Sequence, residues 1–303
     1  MGYETDFLGG ELPMPAPRER GGADPSAQLD TALLDTAQLD TALLDTAQLD
    51  TALLDTALLD YVHFSVRLDQ RRRLARVTGV NLDGANLVEV ERTGDRWRLD
   101  PRVPADWQAG PEVYADNPLD RGHLVRRRDP VWGDPAMAAR AESDTFHYPN
   151  AAPQVAGFNQ SKELWLGLED HVLAFGETEG LRLSVFTGPV LALDDPPYRG
   201  IRLPRRFFKV VAWLRSDRLA AAGFVLDQST LIEALVEPES APPGAVGGGL
   251  PELGGFRTFQ VPIAEIAELT RLAMPQLVVA DRMPRAIAAS GWRELVDPGG
   301  LLL

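Results

Sequence analysis

Residues 120–129 read DRGHLVRRRD, which sets His123 among Arg121, Arg126, Arg127 and Arg128 in a 303-residue chain of formal net charge −14. Only four histidines occur in the chain, so this gathering of cations around one of them needs a chemical reason. Imidazole accepts a proton near neutral pH with little tuning. A guanidinium offers a planar fork of donors that matches phosphate. Gly122, between the two, lets the backbone pass close to a substrate or an ion. Such a stretch suits a polyanion and proton transfer beside it.

The acidity lies elsewhere. Residues 1–60 hold twelve Asp/Glu and two Arg, a net of −10, and the remaining 243 residues carry only −4. Within that nearly balanced body, Arg67, Arg71, Arg72, Arg73 and Arg76, then Arg96, Arg98 and Arg102, form further basic groups. A locally positive surface is therefore expected despite the overall charge. A content of 45% hydrophobic and 24% charged residues describes a globular chain with one large domain and an appendage. There is no apolar run long enough for a membrane span. The start, MGYETDFLGG, shows no basic region followed by an apolar one. The expectation is a cytoplasmic protein with no membrane role, exported if at all by a signal-free route. The absence of cysteine excludes disulfides, thiolate nucleophiles and cysteine zinc sites, leaving oxygen or imidazole ligands for any metal.

From Ala27 to Tyr61 the chain repeats a five-residue unit seven times, as AQLDT or ALLDT and ending ALLDY. A period of five advances about 140° net per unit on an α-helix, so its leucines make no single stripe. The units are similar to pentapeptide repeats, but seven give fewer than two coils of a four-sided solenoid, and a flexible acidic arm over residues 1–60 is the expectation. After Tyr61 the texture is mixed. Strands are expected at 61–66, 73–80, 86–91, 181–193 and 207–214, and helices at 161–173, 229–236 and 262–272. A Pro/Gly loop follows at 237–255 and a tail after about 280. His63 and His147 read as structural, and His171 faces away from Glu169.

After DRGH come DTFHYPNAAPQVAGFNQSKELWLGLED (144–170), SVFTGP (184–189), RLPRRFFKVV (202–211) and FQVPIAEIAELTRL (259–272). Together these motifs resemble the DNA/RNA non-specific endonuclease family over roughly residues 61–275. The resemblance implies an α+β protein of the ββα-metal nuclease (His-Me finger) fold, an antiparallel sheet flanked by helices, with the nuclease domain over 61–280 and a tail over 281–303. It implies Mg²⁺-dependent hydrolysis of DNA and RNA, with Mn²⁺ as the alternative ion and His123 as general base. Arg121 would meet phosphate, and Asp120 and Gly122 would support them.

By the same resemblance Asn159 holds the metal and Glu169, four residues after Trp165, orients its water. The sequence departs from the family pattern here: Asn159 and Glu169 are ten residues apart where eight is usual. On a continuous helix eight residues rotate about 80° one way and ten about 80° the other. Either Asn159 precedes the helix or a bulge absorbs the difference; Glu163, only about 40° from Asn159 on such a helix, is the rival to Glu169. Arg96 and Arg126 are candidate phosphate ligands, with Arg98 as plausible as Arg96. Family members are often dimers, and an inhibitor protein is a further expected partner. Two alternatives stand beside the nuclease: a nucleic-acid-binding protein whose metal site is ruined by the longer interval, and a nuclease regulated by its acidic arm.

Overall fold

The computed structural model describes residues 2–18, 56–91, 94, 96–155, 165–236, 257–284, 288 and 291–295, with the side chains of 165–167 excepted. The repeats before Thr56, the loop at 237–255, Asn159 and Glu163 lie outside the described residues. In chain order the strands are β1 (Ala16–Pro17), β2 (Thr56–Tyr61), β3 (Phe64–Asp69), β4 (Leu74–Asp83), β5 (Leu119–His123), β6 (Ala151–Val155), β7 (Arg182–Val190), β8 (Pro197–Tyr198), β9 (Ile201–Arg202), β10 (Arg206–Arg215), β11 (Arg218–Asp227), β12 (Arg257–Gln260), β13 (Leu272–Ala273) and β14 (Arg293–Leu295). The helices are α1 (Pro111–Tyr114), α2 (Pro135–Asp144), α3 (Trp165–Glu179), α4 (Ser229–Val236), α5 (Ile263–Thr270) and α6 (Pro275–Ala280).

Eight strands form one antiparallel sheet in the order β14-β12-β11-β10-β7-β4-β3-β2. Its long central strands are buried on both faces because successive side chains point to opposite sides and both sides are covered. On β10, Phe207, Val211 and Trp213 join a core with β5, β6, α3 and α4, through Leu119, Ala152, Leu168, Val172 and Ile232. The alternate residues Phe208, Val210 and Ala212 join a second core with Phe7, Leu8, Leu12, α5 and α6. β5 and β6 make a separate two-stranded ribbon on the first face, and with α3 they form the ββα unit. The helix is seated closely: a Cβ on Gly84 would lie 2.0 Å from the carbonyl oxygen of Gly176 in α3, so only glycine permits this approach.

Several expectations shift. The stretch 61–66 is a hairpin rather than a strand: β2 ends at Tyr61, Val62 and His63 form the turn, and His63 has φ 65°. Residues 86–91 form no strand, and Leu87 makes only an isolated bridge to Trp132. The segment 2–18, expected within the arm, packs on the second face through Phe7, Leu8 and Leu12, and its end, β1, pairs with β13. The last repeat unit supplies β2, the outermost strand, and the expected tail supplies β14 at the other edge. Apolar partners on the sheet, invisible in a local reading, order these segments.

Candidate active site

The DRGH motif occupies β5, whose register with β6 sets His123 opposite Ala151, Gly122 opposite Ala152 and Asp120 opposite Gln154. Strand alternation places Arg121 and His123 on one side and Asp120 and Gly122 on the other. His123 is half-buried, its ring 4.6 Å from that of Trp97 and 5.0 Å, edge-on, from that of Phe146. Trp97 is held by its neighbour: Arg98 N–H donates to the Phe146 carbonyl (3.0 Å), and Tyr148 N–H donates to the Arg98 carbonyl (2.9 Å). Arg121 is exposed, with its guanidinium 5.9 Å from the Tyr114 ring centroid. Burial raises the Tyr148 pKa, and the nearby Arg121 charge pulls it back.

Two buried amides shape the ribbon. Asn150 accepts from Val125 N–H (2.8 Å) and donates to the carbonyls of Val125 (2.9 Å) and Thr145 (3.0 Å), which fixes the chain just beyond His123. Gln154 lies over Gly122, where a Cβ would come within 2.1 Å of its amide carbon, so any larger residue at 122 would displace the Gln154 side chain. Gln154 is 1% exposed, and both its amide oxygen and nitrogen lack a hydrogen-bond partner. Buried amides are rarely left so. Gln154 lies in the 144–170 stretch quoted above, where nothing in the local sequence marks it out.

Beyond the ribbon, Glu169 on α3 sits in a partly buried charge cluster. Its Oε1 accepts from Lys209 Nζ at 3.2 Å, and its Oε2 faces Arg126 Nε at 3.9 Å. Arg126 also donates to Asp170 and leaves Nη1 buried without a hydrogen-bond partner. Burial works to lower the Arg126 pKa, but Asp129, Glu169 and Asp170 outweigh it and hold it above the ordinary value. Burial pushes the Asp129 carboxyl up to about 6, against the pull of Lys209 and Arg126 and with the help of the Glu169 charge. Lys209, within RLPRRFFKVV (202–211), is 1% exposed, a burial its sequence does not announce.

Most of the other arginines fasten loops. Arg72 pairs with Asp195 and donates to the Ala192 carbonyl, and Arg73 donates to the Gln108 carbonyl and to Glu112. Arg76 pairs with Asp69, and Arg102 makes a forked contact with Asp100. The local positive charge expected from these groups is thus largely offset by carboxylate partners. Arg98 donates to His147 Nε2 (3.0 Å) and Ser143, whereas Arg96 is exposed. His63 and His147 have structural surroundings. His63 stacks 3.6 Å from Trp132 with Nδ1 2.8 Å from the Pro130 carbonyl oxygen, and burial lowers the pKa of both histidines. A cavity of about 650 Å³ is walled by Tyr61, Asp100, Arg102, Arg140, Asp144 and His147. None of residues 120–123 lines it, so it does not mark the place where His123 could act.

Among the described residues no group of three or more His, Asp or Glu is arranged to hold a metal. A site with a single protein ligand and water in its other positions needs no such group, and Mg²⁺ tolerates few protein ligands. Asn159, the expected ligand, lies outside the described residues, and its amide oxygen is the kind of hard donor such a site uses.

The chain matches the model of the DNA/RNA non-specific endonuclease family over residues 47–281. It belongs to this family. The match begins inside the repeats and takes in the ribbon, α3 and most of the sheet. The uncharacterized protein y4fB of Sinorhizobium fredii is 37% identical over 310 residues, covering 96% of this chain but only 40% of the relative's own length. Nuclease C1 of Cunninghamella echinulata is 28% identical over 55% of this chain and 70% of its own. Human mitochondrial endonuclease G is 28% identical over 65% of this chain and 63% of its own. The solved EndoG/EndoGI complex superposes with a TM-score of 0.52 at 20% identity, covering 71% of this chain and 84% of that one, and supports the endonuclease fold.

Proposed function

We propose that this chain is a metal-dependent endonuclease that hydrolyses phosphodiester bonds of DNA and RNA without sequence preference. The observation that carries this is the β5–β6 ribbon, which presents His123 and Arg121 on one side, with His123 seated against Trp97 and Phe146. His123 accepts the proton of an attacking water as its oxygen bonds phosphorus and the P–O3′ bond breaks. Arg121 is placed to meet the phosphate, and Arg126, three residues beyond His123, is the further phosphate ligand of this reading. Asp120 and Gly122 shape the strand, Glu169 orients water, and the exposed Arg96 adds a contact to the backbone of the substrate. Asn159 would hold Mg²⁺, or Mn²⁺ in its place; such an ion, when bound, supplies Lewis-acid stabilisation of the leaving oxygen.

Recognition through phosphates, with no element that reads base edges among the described residues, makes cleavage sequence-tolerant. A homodimer and an inhibitor protein are the partners this function calls for; the solved neighbour is itself a complex concerned with EndoG inhibition. The test is digestion of supercoiled plasmid and of total RNA with Mg²⁺ and with EDTA. Cleavage of both substrates in Mg²⁺ alone is the expected result, and intact substrates with a retained gel shift would show binding without catalysis.

A further inference from the structure

Building on the nuclease function proposed above, we infer that Lys209 is a positioning residue that fixes Glu169 relative to the loop following the DRGH histidine. Lys209 lies mid-strand in β10, paired with Thr187 of β7 and Phe224 of β11, and is 1% exposed. Its neighbours on the same side, Phe207 and Val211, are apolar core residues, the type this position would ordinarily take. A lysine is almost never so buried unless paired, because its ammonium must leave water. Here Glu169 is a partner, its Oε1 accepting from Lys209 Nζ at 3.2 Å.

The other oxygen of Glu169 faces Arg126 Nε, 3.9 Å away and three residues beyond His123. One carboxylate is thus held from the sheet by Lys209 and from the histidine's own loop by Arg126. A cation on each side leaves Glu169 a single orientation and ties that orientation to the loop. With Lys209 removed, Arg126 alone would hold Glu169 while also bonding Asp170, and the carboxylate would turn toward the loop. Misplacing a catalytic group by a fraction of a bond length lowers turnover more than substrate binding.

The natural chain has no cysteine, so Lys209→Cys supplies a unique thiol. Alkylated in denaturant with bromoethylamine and refolded, it regains an ammonium at nearly the length of lysine; alkylated with bromopropane, it gains a neutral side chain of the same shape. We expect the aminoethyl form to reach within about threefold of wild-type kcat, and the propyl form to stay about thirtyfold or more below it with KM little changed. In the Glu169→Gln background, Lys209→Met should lower kcat no further, since the group it positions is already lost. Equal activity of the two alkylated forms, or a full multiplicative loss in the Glu169→Gln background, would overturn the inference. The double variant also decides the matter if refolding fails, and it separates Glu169 from Asp129, through which any action would persist. Wild type that fails to cut, or His123→Ala that still cuts, would instead overturn the proposed function.

Discussion

A carboxyl buried among other charges makes the stability of the fold depend on pH. Asp129 is pushed up from 3.8 to about 6 by burial, so the folded chain holds this proton more tightly than the unfolded one. Its contribution is fully present below about pH 4 and is lost as the pH rises through 6, by about 1–2 kcal/mol between pH 5 and pH 8. Asp129→Asn removes that dependence. The melting temperature of the variant relative to wild type should therefore be higher at pH 8 than at pH 5; an offset equal at both would count against the raised carboxyl. Gln154 and Lys209 had the weakest signals in the sequence. A glutamine has no charge to mark it, and a lysine in the apolar run FFKVV reads as a surface residue until its strand is seen covered on both faces.

At the scale of the element, the ribbon is stiffened from outside its own hydrogen bonds. Asn150 is fully buried and ties Val125 and Thr145 together immediately beyond His123. Asn150→Ala would leave buried backbone groups unsatisfied, at about 3 kcal/mol in sum. It should lower kcat/KM about tenfold as His123 loses its placement; calorimetry and plasmid cleavage check the two effects, and a variant with wild-type values in both would show that the clamp is dispensable. The strands at β4, β7 and β10 were legible because runs of β-branched and aromatic residues marked them. β11, RLAAAGFVLD, went unread: three alanines and a glycine carry little strand preference, and pairing with β10 over ten residues is what orders it. NLVEVE shows the converse, alternation without a partner strand, since Leu87 and Val88 meet only Trp132 and Val131. Of the candidate site, the DRGH strand was legible down to its histidine, whereas the clamping of Glu169 was not, because it joins residues forty positions apart.

Over the whole molecule, the acidic N-terminal part is not separable from the body at Tyr61. Phe7, Leu8, Leu12 and Leu59 are buried, and each is worth about 1.5–3 kcal/mol, a sum comparable with the whole stability of a domain. A chain beginning at Tyr61 should therefore fail to give a cooperative melt by circular dichroism; a wild-type melting temperature would show that residues 2–18 only decorate the second face. The repeats hide this in sequence, because the unit that forms β2 is nearly the same as those before it and differs in the tyrosine that closes it. Tyr61 stacks on Phe64 with ring centroids 4.7 Å apart and donates to Asp100 at 2.6 Å. The β5–β6 ribbon lies over this same first face and holds His123 beside Arg121. The most direct test is the rate of plasmid cleavage by His123→Ala and wild type at saturating Mg²⁺, with a gel shift run beside it. A loss of about 10²–10⁴-fold with binding retained is the predicted result, and cleavage at the wild-type rate would contradict the account.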